Sequence, residues 1–300
     1  MARRATRFHH VARWSLTAAL VASALAGLPA CGKEEPKTAL TYTQDAKLAY
    51  EAALEEFTAH NWIESQNLMR EVKRKYSYSR YAKLAELRIA DAEFEQEKYA
   101  EAIRAYRQFV HDHRSDPDEV SYARSRIAEA EFRQIQDSIF LPSGDERDQA
   151  SVMEAYRELR AYLHDYPAAK EAPRMRELLT EVTARLVRHE LYVARFYLDR
   201  DNYDAAISRV HYALRNFTAT RLSTMSTGGE AGKRKTASIE GTIDSGLEAE
   251  ALLLLGETYL RMRKYDAARE AFQAILAEYP KSGISEQATR YLGYMKQNGV

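Results

Sequence analysis

The chain has 300 residues, 45% of them hydrophobic and 29% charged, with 44 basic and 44 acidic side chains and a single cysteine. That length supports a large core or a repeat array. The balanced charge excludes the basic excess that nucleic-acid binding demands, and one cysteine excludes an intramolecular disulfide even in an oxidising compartment.

Residues 1–13 carry Arg3, Arg4, Arg7 and Arg13 and no acid, and Trp14 to Ala30 carries no formal charge. A basic stretch followed by a short apolar run is the pattern of a secretory signal peptide, predicted here over 1–30; a spanning helix usually needs about 20 apolar residues. Without those four arginines the rest of the chain holds 40 basic against 44 acidic residues, a net of −4. Leu28-Pro29-Ala30-Cys31 resembles the lipobox of bacterial lipoproteins, in which cleavage precedes the cysteine and its sulfur takes the lipid. Pro29 departs from the small or β-branched residue usual there. The resemblance implies a covalent lipid on Cys31 and no other cofactor. With Gly32 rather than Asp following, it also implies the periplasmic face of the outer membrane. An uncleaved anchor with an incidental cysteine is the competing reading. Each buried acyl CH₂ contributes about 0.8 kcal/mol, so several chains would hold the protein on the membrane. Residues 31–43 then read as a lipidated tether.

From residue 44 onward the chain reads as all-α. Between Lys33 and Thr227 the only glycine is Gly144, too few for the hairpin turns and bulges of a sheet protein. Pro36, Pro117, Pro142, Pro167, Pro173 and Pro280 fall between segments with apolar residues at three- and four-residue spacing. Leu252 to Pro280, "LLLLGETYLRMRKYDAAREAFQAILAEYP", resembles the tetratricopeptide repeat, a pair of antiparallel helices A and B. Leu255, Gly256, Tyr259, Tyr265, Ala268, Phe272 and Pro280 occupy its consensus positions. Small residues at Gly256 and Ala268 let the helices approach, the large ones fill the space beside them, and the proline ends helix B.

The same spacing recurs upstream. Repeats are expected at about 46–79 (Ala53, Trp62, Ser65), 83–116 (Ala90, Tyr99, Ala102, Tyr106) and 121–169 (Ile127, Ala128, then Ala155 and Pro167). The third carries an insertion at 137–149, "DSIFLPSGDERDQ". A fourth is expected at 187–217 (Ala194, Tyr197, Tyr203, Ala206, Ala213), a fifth at 249–282 and a capping helix at 284–297. The expected fold is a right-handed solenoid of about five helix pairs, stable only by stacking. Residues 218–245 break the pattern as a long Ser-, Thr- and Gly-rich loop. Its "GGEAGKRKT" is not a phosphate loop: the glycine spacing is wrong, Arg234 replaces Ser or Thr, and no strand precedes it.

Catalytic chemistry finds no foothold. His111 and His113 point to different helix faces, and His189-Glu190 lacks the second histidine of a zinc-protease helix. Carboxylates alternate with Lys and Arg as on a solvated face. The chain therefore reads as a non-enzymatic binding protein. In the first three repeats helix A carries Phe57, Phe94 and Phe132 at one equivalent position, with Tyr50, Leu87 and Ser125 on the same stripe. On the concave side of an array these side chains form an apolar trough suited to an extended peptide with aromatic side chains. Alternatively, they pack between repeats.

"RLVRHELYVARFYLDRDNYDAAISRV" is similar to the stretch "E..VA.YY..R..Y.A...RV" of the BamD family, lipoprotein subunits of the outer-membrane β-barrel assembly machinery. "RDQASVMEAYRELRAYLHDYPAAKEAPRM" and the Asn61-Trp62 and Lys75-to-Tyr81 matches add to it, with Ser77 where the family usually has proline. The resemblance covers residues 31–300 and implies a scaffold. Its N-terminal repeats would receive the signal strand of unfolded outer-membrane β-barrel proteins, and its C-terminal repeats would dock on the POTRA domains of the barrel-forming subunit BamA. The arginine of the "RV" pair carries over to Arg209, a docking ion pair, and Tyr81 falls near the family's signal-binding pocket. BamC and BamE are further partners by resemblance alone. The long 218–245 loop departs from the family. A pilotin-like lipoprotein that assembles a secretin, or a coordinator of cell-wall synthesis, shares the anchor and repeats and stays open as an alternative.

Overall fold

In a computed structural model, residues 38–135, 144–217 and 246–300 are described. Cys31, most of the tether, residues 137–143 of the expected insertion and the 218–245 loop lie outside them. The described residues form eleven helices and no strand. They are α1 (Ala39–Thr58), α2 (Trp62–Lys75), α3 (Arg80–Glu95), α4 (Tyr99–Asp112), α5 (Pro117–Arg133) and α6 (Ala150–Asp165). There follow α7 (Ala172–Leu198), α8 (Tyr203–Phe217), α9 (Glu248–Arg261), α10 (Tyr265–Glu278) and α11 (Ser285–Gln297). Ala46–Val300 is one compact unit; of the other, Met1–Asp45, only the residues from 38 on are described.

From α2 onward each helix packs on its neighbour in the chain. In addition α5 touches α7 and α7 touches α9, so first helices of successive pairs stack on one another. That second kind of contact distinguishes a solenoid from a row of hairpins. The pairs are α1–α2, α3–α4, α5–α6, α7–α8 and α9–α10, and α11 covers the last. Apolar side chains gather in three clusters: Tyr50, Ala53, Met69, Val72 and Ala85 join the first pair to α3, Leu87 to Ala130 fill the second and third, and a larger one runs from Ala128 to Met295.

The turns repeat as faithfully as the helices. His60, Glu97, Asp201 and Arg263 end the first helix of their pairs in the left-handed region, with φ between 56 and 61°. Each is the C′ residue of a Schellman motif. His60 N–H donates to the Phe57 carbonyl at 3.1 Å and Asn61 N–H to Glu56 at 2.9 Å, and the same two bonds recur at 97–98, 201–202 and 263–264. None of the four is glycine, although that conformation costs a side chain about 1–2 kcal/mol; the paired hydrogen bonds and the helix packing hold it. A second turn, between pairs, recurs where Ser79, Asp116, Ala169 and Ser282 donate N–H to the carbonyls of Tyr76, His113, Tyr166 and Tyr279, at 2.9–3.2 Å.

Two boundaries differ from expectation. The repeat spacing places the fourth repeat from about 187, but its first helix, α7, begins at Ala172 and runs for 27 residues. Pro173 lies in the first turn, where its missing N–H is harmless, and Met175, Leu178, Leu179, Val182 and Leu186 continue one buried stripe into Leu191 and Leu198. Nothing in that stretch stops a helix. The tether, expected to end at 43, is already helical from Ala39.

The tightest approach lies in the fifth pair. A Cβ built on Gly256 of α9 would stand 2.5 Å from Phe272 Cε1 of α10. Phe272 is fully buried and stacked on Tyr291 of α11, with ring centroids 4.9 Å apart and planes at 5°, so it has nowhere to move. Alanine is the better helix former by about 1 kcal/mol, yet Gly256→Ala is expected to destabilise the protein by about 1–3 kcal/mol through overpacking. Gly293→Ala in α11, where a Cβ meets nothing within 4 Å, is expected to stabilise by about 0.5–1 kcal/mol. Urea unfolding of the two variants checks the contrast.

Candidate functional site

On α3 the sequence Ala90-Asp91-Ala92 sets a carboxylate between two small residues on the face turned toward α4 and α5. Asp91 is only 2% exposed. Two tyrosines donate to its Oδ1: Tyr106 of α4, and Tyr122 of α5 at 2.9 Å. Arg88 pairs with Oδ2, and Arg126 Nε of α5 lies 3.9 Å from Oδ1. Arg88 also donates to the Tyr50 hydroxyl of α1 at 3.4 Å, and Arg126 to that of Tyr106 at 3.4 Å. Side chains from α3, α4 and α5 therefore converge on one acid, and α1 reaches it through Arg88. A carboxylate removed from water is tolerable only when paired and fully hydrogen-bonded in this way.

The electrostatics keep every donor in its donating form. Burial first, then the Asp91 charge, pushes both the Tyr106 and Tyr122 phenols well above their ordinary range. Burial works against the charge of Arg88 and Arg126, but Asp91 and Tyr50 around the first, and Tyr106 around the second, more than offset it. The Arg126 guanidinium also lies 3.6 Å over the Phe94 ring and pairs with Glu95 at 3.0 Å and Glu129 at 3.1 Å.

The open trough expected from Tyr50, Phe57, Tyr81, Leu87, Phe94 and Phe132 needs correction. Tyr50, Leu87 and Phe94 are buried, at 8, 3 and 7% exposure. Phe94 is covered by Arg126 and packs edge-on against Tyr99 at 5.3 Å, while Leu87 sits in the core of the second and third pairs. Ser125 is buried as well. Only Phe57, Tyr81 and Phe132 remain half-exposed: Phe57 edge-on to Trp62 at 5.0 Å, Tyr81 5.6 Å from Tyr50, Phe132 6.0 Å from the Arg185 guanidinium. Positions read as a ligand surface thus partly serve the stacking of repeats. The network that replaces the trough was missed, although an acid flanked by alanines on an apolar stripe was the signal for it.

Arg209 lies on α8 and pairs with Glu190 of α7, Nη1 to Oε2 at 3.2 Å. Glu190 is buried, whereas the Arg209 side chain is 43% exposed, so one edge of its guanidinium is held from within while another faces outward. The same pair exposes three large aromatics, Tyr192 and Phe196 one turn apart on α7 and Tyr212 on α8, each about two-fifths exposed. Arg200 stacks 3.5 Å over Phe196. Aromatic and arginine side chains kept partly in water are the usual material of protein interfaces. Cys31 lies outside the described residues, and no helix among those described is long and apolar enough to cross a membrane.

The outer membrane lipoprotein family YfiO matches residues 43–227, and a tetratricopeptide-repeat family matches 250–282. The chain belongs to the YfiO outer membrane lipoprotein family. A protein of Caulobacter vibrioides named outer membrane protein assembly factor BamD is 30% identical over 196 residues, 65% of this chain and 61% of its own length. A protein of the same name from Neisseria meningitidis serogroup B is 21% identical over 88% of this chain and 91% of its own. Among solved structures, a thermophilic tetratricopeptide protein of Thermus thermophilus is similar at 14% identity and a TM-score of 0.31, over 82% of this chain and 98% of its own. The family match runs through both the Asp91 network and the Glu190–Arg209 pair.

Asp91→Asn is expected to destabilise the protein by about 3–5 kcal/mol, because it removes the acid that pairs with Arg88 and accepts from two buried tyrosines. Tyr122→Phe, losing one hydrogen bond to a charged acceptor, should cost about 1.5–3 kcal/mol. Equilibrium urea unfolding measures both, and an Asp91→Asn variant within about 1 kcal/mol of the parent would contradict the assignment of the hub.

Proposed function

We propose that this protein is a non-enzymatic, lipid-anchored scaffold of the outer-membrane β-barrel assembly machinery. The family match over residues 43–227, with relatives named as outer membrane protein assembly factors, carries the reading. Cys31 supplies the anchor on the periplasmic face of the outer membrane. The fourth and fifth repeats dock on the POTRA domains of a BamA-like barrel subunit, and the first three receive unfolded outer-membrane proteins before insertion.

The geometry of Arg209 suits a docking residue. Its pairing with buried Glu190 fixes the guanidinium and lowers the entropy lost when a partner acid arrives. The exposed Tyr192, Phe196 and Tyr212 supply apolar area on the same pair of helices. For client proteins, the half-exposed Phe57, Tyr81 and Phe132 are rigid aromatic contacts, fewer than a full trough would offer.

Arg209→Glu would set two acids side by side within the chain, so folding and docking would be lost together. Arg209→Gln combined with Glu190→Gln removes both charges and leaves no ion stranded. This double variant is expected to keep its thermal midpoint within a few degrees while its affinity for purified POTRA domains falls by about 2 kcal/mol or more. Calorimetric titration decides it, and unchanged affinity would remove Arg209 from the docking surface.

A further inference from the structure

The four turns that follow the first, second, third and fifth helix pairs share one hydrogen bond, yet their charge is unequal. In the first, positions 70–83 hold six Lys and Arg against the single acid Glu71. The equivalent windows hold two basic and four acidic residues at 107–120, two and two at 160–173, and one and two at 273–286. The excess is thus a property of one turn, in a chain that is otherwise slightly acidic once its signal arginines are set aside. Four of the six basic residues, Arg70, Arg74, Lys75 and Arg80, are exposed; Arg74 and Lys75, at 70% and 51% side-chain exposure, share the one acid Glu71, while Lys73 and Lys83 turn to Glu86 and Asp116. At the tip stands Tyr78, 97% exposed, where the other turns carry Ser115, Ala168 and Lys281.

The position of this turn matters as much as its composition. Tyr50, near the start of the compact unit at Ala46, has its ring 5.6 Å from that of Tyr81, just past the turn. The chain therefore enters the unit at the same end as the basic turn. Cys31 lies eight residues before Ala39, where α1 begins, a reach of at most about 30 Å ahead of that helix. An acyl anchor combined with a polybasic patch is a two-signal arrangement for membrane attachment, and tyrosine is enriched at the level of lipid headgroups.

We propose that the 70–83 turn is a membrane-surface contact: Arg74, Lys75 and Arg80 meet the headgroups of anionic phospholipids while Tyr78 enters the headgroup layer. The occupant is the bilayer itself, chosen by charge complementarity and by the short chain back to the anchor. The contact rests on the Cys31 anchor of the proposed function and goes beyond it, because it orients the first repeat against the lipid rather than leaving it free on its tether. Arginine and lysine near a negative surface act in proportion to their number, so the effect depends on anionic lipid and falls with salt.

The test uses the acylated chain with Tyr78→Trp, reconstituted on phosphatidylcholine vesicles with or without phosphatidylglycerol and carrying brominated acyl chains. Fluorescence is read above that of the parent chain, whose half-buried Trp62 is the background. Blue shift and quenching are expected with phosphatidylglycerol and not in its absence. They should fall at least ten-fold when Arg74→Glu and Lys75→Glu are added, and be absent for Tyr294→Trp, a site 60% exposed on α11. A floating chain whose Tyr78→Trp signal equals that of Tyr294→Trp overturns the proposal. So does a blue shift without bromine quenching, which would mean that protein covers the turn. Failure of the acylated chain to float is a separate result that contradicts the anchor. In that event the unanchored chain is titrated with the same anionic vesicles, and no quenching at saturation overturns the contact.

Discussion

The Asp91 carboxylate is kept from water, and it can stay there only while α4 and α5 hold Tyr106, Tyr122 and Arg126 around it and α1 presents Tyr50 to its partner Arg88. Removing α4 or α5 exposes an acid whose donors are then missing, and removing α1 takes Tyr50 from Arg88. The first three repeats are therefore bound together by a polar centre that an apolar core alone would not provide. At the other end of the chain the same dependence is steric. Phe272 fills the space left by Gly256 and is held flat against Tyr291 of the capping helix. Each repeat thus completes its neighbour, which is the condition for a stacked array to unfold as more than its separate hairpins.

This dependence leaves the surface free to differ from repeat to repeat. The turns within the first, second, fourth and fifth pairs are uniform, with left-handed His60, Glu97, Asp201 and Arg263 in equivalent places, but the side chains that the repeats present are not. The first inter-repeat turn is strongly basic, and the fourth pair displays Tyr192, Phe196 and Tyr212. A regular frame with irregular decoration suits a protein that must hold several partners at fixed separations.

The pairing of helices was legible in the sequence because it is written in residue size: Gly256 with Phe272 and Ala53 near Ser65 are spaced by the geometry of two antiparallel helices. The length of α7 was not legible, since the consensus marks only its C-terminal half and Pro173 reads equally as a break or as a first-turn residue. The trough was misjudged for a related reason. Helical spacing places Tyr50, Leu87 and Phe94 on one stripe, but whether that stripe meets a ligand or the next repeat depends on packing between units, which spacing within one helix does not encode. Glu190 passed as half of an incomplete metal motif, and its role emerged only when α8 brought Arg209 against it.

The proposed scaffold joins these features: an anchor, a basic turn beside it, a polar hub that stiffens the client-facing repeats, and an aromatic and arginine surface on the pair that docks. Mass spectrometry of the proteins that co-purify with the chain from detergent-solubilised envelopes tests this most directly. The account expects a POTRA-bearing barrel subunit as the dominant partner. A secretin or a cell-wall synthase in its place, with no barrel subunit, would contradict it.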